Sequence, residues 1–234
     1  MTKSSVLSTY LIIPAFNEQN AVCNVLAEVP NDLVSEIVVV NNGSTDNTVE
    51  QAVSCGATVL DEPRKGYGYA CLKGIDYLKD KPIKGSDIIV FIDADYSDYP
   101  SEMPKLVLPI QNDQADLVIG SRALGIKEKG SMTPQQIFGN WLATSLLKLF
   151  YKVEFSDLGP FRAIRFDKLL QISMKDTTYG WTVEMQLKAA KHGLRCAEVP
   201  VNYRRRIGKS KVSGTVKGTI MAGYKILWTI FKYL

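Results

Sequence analysis

Ile88-Ile89-Val90-Phe91-Ile92-Asp93-Ala94-Asp95-Tyr96-Ser97-Asp98 runs five apolar residues straight into three carboxylates. An apolar run without alternation suits a parallel strand covered by helices on both faces. Ligands of open α/β sheets bind just beyond the carboxyl ends of such strands, so a strand ending in Asp93-Ala94-Asp95 points its acids at a site. Hard oxygen donors of this kind suit Mg2+ or Mn2+, which bind through one or two carboxylates together with phosphate oxygens of a substrate. Asp-x-Asp is also a common acidic turn after a buried strand. The rest of the chain decides between the two.

Outward from that strand, strand and helix signals alternate. Tyr10 to Ile13 is a strand broken at Pro14, and Val22, Val25, Leu26 and Val29 carry helical spacing after it. Glu36 to Val40 is a second strand, Thr48 to Cys55 a helix, Ala57 to Leu60 a third strand, and Gly66 to Lys79 a helix behind a glycine-rich turn. A helix from about Ser101 to Gln111 and a strand at Asp116 to Ile119 follow the central strand. Right-handed strand–helix–strand crossovers repeated in this way predict a mostly parallel, doubly wound α/β sheet with helices on both faces.

Composition limits the partners. At 234 residues with no Pro/Gly/Ser-rich linker, one α/β domain with a C-terminal extension is expected. Cys23, Cys55, Cys71 and Cys196 form no Cys-x-x-Cys pair and read as reduced, packed thiols of a cytoplasmic protein. The start lacks a signal-peptide pattern, and no apolar stretch reaches the roughly 18 residues of a membrane span. The net charge of +4 is concentrated in Arg204, Arg205, Arg206, Lys209 and Lys211. Such a cluster could track nucleic-acid phosphates, but it lacks interleaved aromatic residues and stands beside acids, so no nucleic-acid partner is expected.

Three turns fall at strand ends. Pro14-Ala15-Phe16-Asn17-Glu18 and Asn41-Asn42-Gly43-Ser44 offer side chains able to read a base or ribose edge. Arg64-Lys65-Gly66-Tyr67-Gly68-Tyr69-Ala70 joins two cations to a loop that opens a helix, a plausible diphosphate cradle. Singly these are weak signals, since an Asn-Gly turn is usually only a turn.

Taken in order with Asp93-Ala94-Asp95, with Ile119-Gly120-Ser121-Arg122, with Asp157-Leu158-Gly159-Pro160-Phe161-Arg162 and with the run from Glu198 to Lys211, they resemble the family 2 inverting glycosyltransferases. The resemblance covers roughly residues 9 to 214 and is nearest to the dolichyl-phosphate mannosyltransferase and polyprenyl-phosphate glycosyltransferase branch. It implies a GT-A catalytic domain over 1–214, followed by an amphipathic helix over 215–234. It also implies transfer of a hexose from a nucleotide sugar, UDP-glucose or GDP-mannose, to a polyprenyl phosphate, with Mg2+ or Mn2+ on Asp93 and Asp95. Pro14, Phe16, Glu18, Asn41, Asn42, Gly43 and Gly66 would then surround the nucleotide, while Arg122, Arg162, Glu184, Arg206, Ser210 and Lys211 would face the acceptor. A soluble hydroxyl or phosphorylated acceptor is the alternative. A sugar nucleotidyltransferase would need a Gly-rich triphosphate loop after the first strand, which Pro14 to Glu18 does not provide.

Departures from the family pattern lie at Asn41-Asn42, where acids are usual, and at Gly159-Pro160, where many lipid-phosphate members carry Thr, Ser or another acid. Asp157 is the expected general base if the acceptor is a hydroxyl; a phosphate monoester, already anionic, would need none and would leave Asp157 to help hold the metal. The alternative for Asp157 is a loop acid paired with Arg162. His192 precedes Gly193 at a helix end, where the helix dipole accounts for it. Ile137, Phe138, Trp141, Leu142, Leu146, Leu149 and Phe150 recur at helical spacing, as do Ile220, Tyr224, Leu227, Trp228, Phe231 and Leu234. These stripes predict either packing or a homodimer on one hand, or peripheral attachment to the inner membrane face on the other.

Overall fold

A computed structural model of the chain describes residues 7–208 and 216–234. Seven strands form one sheet: β1 (Thr9–Ala15), β2 (Glu36–Asn41), β3 (Thr58–Asp61), β4 (Ile88–Phe91), β5 (Leu117–Ser121), β6 (Arg162–Arg165) and β7 (Cys196–Pro200). Their spatial order is β3-β2-β1-β4-β6-β5-β7. Crossover helices α1 (Val22–Ala27), α2 (Thr48–Ser54), α3 (Tyr67–Lys79) and α4 (Met103–Gln111, after a single 3-10 turn) cover its two faces, and α5 (Pro134–Tyr151), α6 (Phe166–Ile172), α7 (Trp181–Lys191) and α8 (Val216–Lys232) complete the chain.

Alternation along each strand splits the interior into two cores. Ile12, Ile89 and Phe91 enter one with α3, α5 and α7; Leu11, Ile13, Ile88 and Val90 enter the other with α1 and α4. The chain order reverses at β1 and β4, which pair in parallel in the middle of the sheet, and the crevice above their carboxyl ends is where such folds bind ligands.

One strand departs from the alternating pattern. β6 lies antiparallel between β4 and β5. Its sequence, Arg162-Ala163-Ile164-Arg165, has no apolar run to announce it. Because it runs backwards, its start lies at the carboxyl ends of its neighbours, which carries Asp157 to Phe161 into the crevice.

The cysteines also differ from expectation. Cys71 and Cys196 are free, but packing of α1 on α2 brings Cys23 and Cys55 to a Cα–Cα distance of 5.8 Å, joined by a disulfide. The spacing of 32 residues along the chain concealed the pair, because only the helix–helix contact makes them neighbours. His192 sits as expected, capping α7 ahead of Gly193 at φ 66°.

Candidate active site

A cleft of about 570 Å³ opens above β1 and β4, lined among others by Pro14, Phe16, Glu18, Asn42, Gly66, Asp93, Asp95, Arg122 and Arg206. The structure thus gathers residues nearly 200 positions apart in the chain. One rim is made by the turns after β1, β2 and β3. The other is made by the end of β5, the segment before β6 and residues 203–206.

The first rim is laced by short polar side chains. Asn17 Oδ1 accepts from the Thr45 N–H (2.8 Å), the Asn17 N–H donates to Ser44 Oγ (3.0 Å) and the Glu18 N–H to Thr48 Oγ1 (2.8 Å). Asn41 Nδ2 donates to Asp61 Oδ1 (2.8 Å) while its Oδ1 accepts from the Ser44 N–H. Asn42 Nδ2 donates to the Glu62 and Arg64 carbonyls, and its Oδ1 accepts from the Gly66 N–H (2.8 Å). Both amides therefore hold neighbouring turns together, and Asn42 also lines the cleft. Gly43, at φ 75°, makes the turn between them and does not line the cleft.

Gly66 and Gly68 are required for a reason the sequence does not show. A Cβ on Gly66 would stand 2.2 Å from the Thr177 carbonyl oxygen and one on Gly68 2.0 Å from that of Asp176. The glycines admit the backbone that precedes α7, so the loop is a packed joint more than an open cradle, although Gly66 still borders the cleft. Cations stand over rings here, Lys65 Nζ 5.5 Å from the Phe16 centroid and Arg64 4.5 Å from that of Tyr69.

The acids follow β4. Asp93 has one carboxylate oxygen buried without a hydrogen-bond partner, and burial, with the Asp95 charge second, pushes its pKa up to about 7. Asp95 is 3% exposed; its Oδ1 accepts from the Ser97 N–H (2.9 Å) and its Oδ2 pairs with Arg206 Nη2 at 2.7 Å. An unpartnered carboxylate oxygen on Asp93 beside the anionic Asp95 is the donor set a hard divalent cation fits. Among the described residues no group of three acids, histidines or cysteines could hold a metal. The Asp98 carboxylate is also buried without a hydrogen-bond partner, and the residue does not line the cleft.

The opposite rim rests on long side chains. Asp157 is fully buried and grips Arg122: its Oδ2 accepts from the Arg122 N–H and Nε (both 2.8 Å) and its Oδ1 from Nη2 (2.7 Å). Burial alone would raise the Asp157 pKa, but the guanidinium overrides it and holds the carboxyl below the usual range. Its partner is thus Arg122, not Arg162, and Asp157 stands behind Arg122, outside the lining of the cleft. Arg122 itself faces the cleft and lies 5.0 Å above the Tyr203 ring.

Two residues expected at the acceptor are turned inward. Arg162 is fully buried and donates to the carbonyls of Leu158 (3.2 Å), Gly159 (3.1 Å) and Thr182 (2.9 Å), tying the start of β6 to α7; burial lowers its pKa to about 10. Glu184 is also fully buried and accepts from the Lys175 and Asp176 N–H groups, Tyr233 Oη and Lys188 Nζ. Both carry charge in a motif, and a motif does not say which way a side chain points. The basic run divides similarly: Arg204 pairs with Glu28 and stacks on Tyr96, Arg205 reaches Glu128 and the Lys129 carbonyl, and Arg206 lines the cleft. Ser210 and Lys211 lie outside the described residues.

Cleft residues without charge include Tyr67 of the glycine turn and Trp181, for which the sequence leaves core and sugar platform equal, and three that the sequence reading did not single out, Gln135, Asn140 and Tyr203. The Tyr67 hydroxyl and Trp181 Nε1 are buried without hydrogen-bond partners, and both residues line the cleft, as do Gln135, Asn140 and Tyr203.

Residues 10–172 match the family model described as Glycosyl transferase family 2. An uncharacterised glycosyltransferase of Mycobacterium tuberculosis is 34% identical over 215 residues, 91% of this chain and 93% of the relative. The undecaprenyl-phosphate mannosyltransferase of Micrococcus luteus is 30% identical over 220 residues, 88% of each chain. Glucosyl-3-phosphoglycerate synthase from M. tuberculosis, solved with Mn2+, UDP-glucose and phosphoglyceric acid, aligns with a TM-score of 0.76 over 97% of this chain and 80% of that one, at 21% identity. The chain belongs to glycosyl transferase family 2, is a glycosyltransferase, and has the GT-A fold.

Proposed function

We propose that this glycosyltransferase moves one hexose, from UDP-glucose or GDP-mannose, to a polyprenyl phosphate. A phosphate oxygen of the acceptor attacks the anomeric carbon while the bond to the donor diphosphate breaks, and the electron pair leaves with the nucleoside diphosphate, inverting the centre. Asp93 and Asp95 would hold Mg2+ or Mn2+, which supplies positive charge to the leaving diphosphate. The Mn2+ and UDP-glucose present in the related synthase structure support that assignment. Arg122, held by Asp157, and Arg206, paired with Asp95, place positive charge on the cleft for the acceptor phosphate.

The observation that carries the acceptor is the withdrawal of Asp157 into its ion pair. A hydroxyl acceptor needs a base to take its proton, and the expected base is spent on Arg122. A phosphate monoester arrives with about −1.5 to −2 charge and needs none. The 30% identity to an undecaprenyl-phosphate mannosyltransferase supports the same choice. A soluble phosphorylated acceptor is the second reading, favoured by the phosphoglyceric acid bound in the related synthase.

No described helix is long and apolar enough to cross a membrane. Exposed Ile137, Phe138, Trp141, Tyr224, Trp228 and Phe231 support contact with the inner membrane face, and co-sedimentation with anionic liposomes at low salt tests that contact.

Incubation with Mn2+, each nucleotide sugar, and undecaprenyl phosphate, undecaprenol or 3-phosphoglycerate, read by mass spectrometry, tests the acceptor. A glycosylated lipid phosphate is expected. Product from undecaprenol or phosphoglycerate alone would overturn the proposal.

A further inference from the structure

α5 and α8 lie side by side, and a second cavity of about 500 Å³ runs between them. At one end the helices close on each other: Phe150 meets Phe231 with ring centroids 5.7 Å apart, and Tyr151 Oη donates to the Ile230 carbonyl (2.6 Å). Toward their N-terminal ends they part. The walls there are Phe138, Leu142, Ile226 and Leu227, and the only polar side chains in the lining are Gln135 and Thr219. Both of these also line the catalytic cleft, as do Gly139, Gly223 and Ile226. Cleft and groove are therefore one continuous space, polar and cationic at the inner end and apolar at the outer.

The two glycines give the groove its width. No atom lies within 4 Å of where a Cβ on Gly139 or Gly223 would stand, so neither is demanded by backbone crowding, in contrast to Gly66 and Gly68. Both sit inside helices, where glycine costs about 0.5–1 kcal/mol against alanine. Their yield is open volume on the groove.

We infer that the groove between α5 and α8 takes the proximal isoprene units of the acceptor, with Gly139 and Gly223 as the residues that admit them. The inference rests on the lipid-phosphate reading above and deepens it. A phosphate held by Arg122 and Arg206 has its ester oxygen at the inner end, and the hydrocarbon attached to it enters a channel with no charged side chain among the described residues of its walls. Charge at one end and an apolar path at the other match an anionic head on a branched hydrocarbon tail, and match neither a free phosphorylated acid nor a peptide, whose backbone polar groups would be left unpaired in the groove. The volume lies in the range that holds a small-molecule ligand, enough for a few isoprene units, with the rest of the tail emerging at the exposed Trp141 and Tyr224.

The test uses the full chain with Mn2+ and compares farnesyl phosphate with dimethylallyl phosphate, the same head on a longer and a shorter tail, by isothermal titration calorimetry. Burial of the extra carbons predicts binding tighter by about tenfold or more for the farnesyl ester. Gly139→Leu and Gly223→Leu should each erase most of that difference, weakening farnesyl phosphate far more than dimethylallyl phosphate, with no fall in melting temperature. Leu142→Gln, which places an amide on the wall without adding bulk, should do the same. Persistence of the tail preference in all three variants overturns the groove and places the tail on the exposed outer faces. Loss of a dimer in sedimentation, in step with loss of tail preference, overturns it in favour of a second copy of the chain. Tight binding of the short ester with no tail preference in the wild type defeats the groove alone; failure to bind either ester defeats the lipid-phosphate reading with it.

Discussion

The two rims of the cleft are built from different materials. On the side of β1, β2 and β3, Asn17, Asn41, Asn42, Ser44 and Thr48 bind their neighbours through short polar side chains, and the disulfide of Cys23 and Cys55 joins the helices behind them. On the side of β5 and β6, Arg122–Asp157 and Arg206–Asp95 join segments far apart in sequence by buried or half-buried ion pairs. Parallel strands adjacent in the sheet place their exit turns side by side, so small groups suffice on the first rim. The second rim is assembled from one antiparallel strand and a C-terminal segment, and only long side chains bridge the gaps. The first rim is consequently a rigid floor and the second a set of charges whose balance depends on occupancy.

The largest effect should fall where the rims meet. Asp95→Ala removes the proposed metal ligand and the partner of Arg206 without opening the core, and transfer should drop by on the order of 10³-fold or more, with the circular dichroism spectrum retained. Residual turnover close to wild type in this variant would break the assignment of the acids to the diphosphate side. Next, Asp157→Asn strands the Arg122 guanidinium. Breaking a buried pair by removing one partner costs about 3–5 kcal/mol, to be read from the urea midpoint; a loss of activity with unchanged stability would instead return Asp157 to chemistry.

On the first rim the expected losses are smaller and concern stability more than turnover. Cys23→Ser with Cys55→Ser should cost about 2–4 kcal/mol, measured by denaturation with and without reductant, and reduced wild type should match the variant. Asn42→Ala removes three hydrogen bonds from a residue 7% exposed, for about 1–3 kcal/mol. Its KM for the nucleotide sugar should rise more than its kcat falls, because the damage is to the floor and not to the charges.

The weakest signal is a slope. Asp93 keeps its proton in the folded chain up to about pH 7, against roughly 4 in an unfolded one. Between those values the folded state binds the extra proton, so this residue makes stability fall as pH rises through the window. Urea midpoints in chelator from pH 4.5 to 7.5 should decline less steeply in Asp93→Asn; parallel curves would show that the carboxyl titrates normally.

The motifs separate along the same line as the rims. The sheet, the acids after β4 and the turns of the first rim were legible because apolar runs, Asp-x-Asp and Asn-Gly turns are local patterns whose spatial neighbours follow from strand order. Arg162, Glu184 and Asp157 were not, since each is a charged residue in a recognisable segment whose direction depends on what packs above it. Arg204 and Arg206, two positions apart, part company for the same reason: one is consumed by Glu28 and two tyrosine rings, the other enters the cleft.

By itself the sequence determined the α/β class, the acids that follow the central strand, and membership of a glycosyltransferase family, because hydrophobic periodicity and short motifs are properties of neighbours along the chain. Tertiary structure alone decided that β6 runs backwards and delivers Asp157 to Arg122, that Cys23 meets Cys55, that Gly66 and Gly68 yield to the backbone of Thr177 and Asp176, and that α5 and α8 leave an apolar groove open to the cleft. Each of these is set by contact between segments remote in sequence, where side-chain direction and burial choose among partners that composition and spacing leave equal.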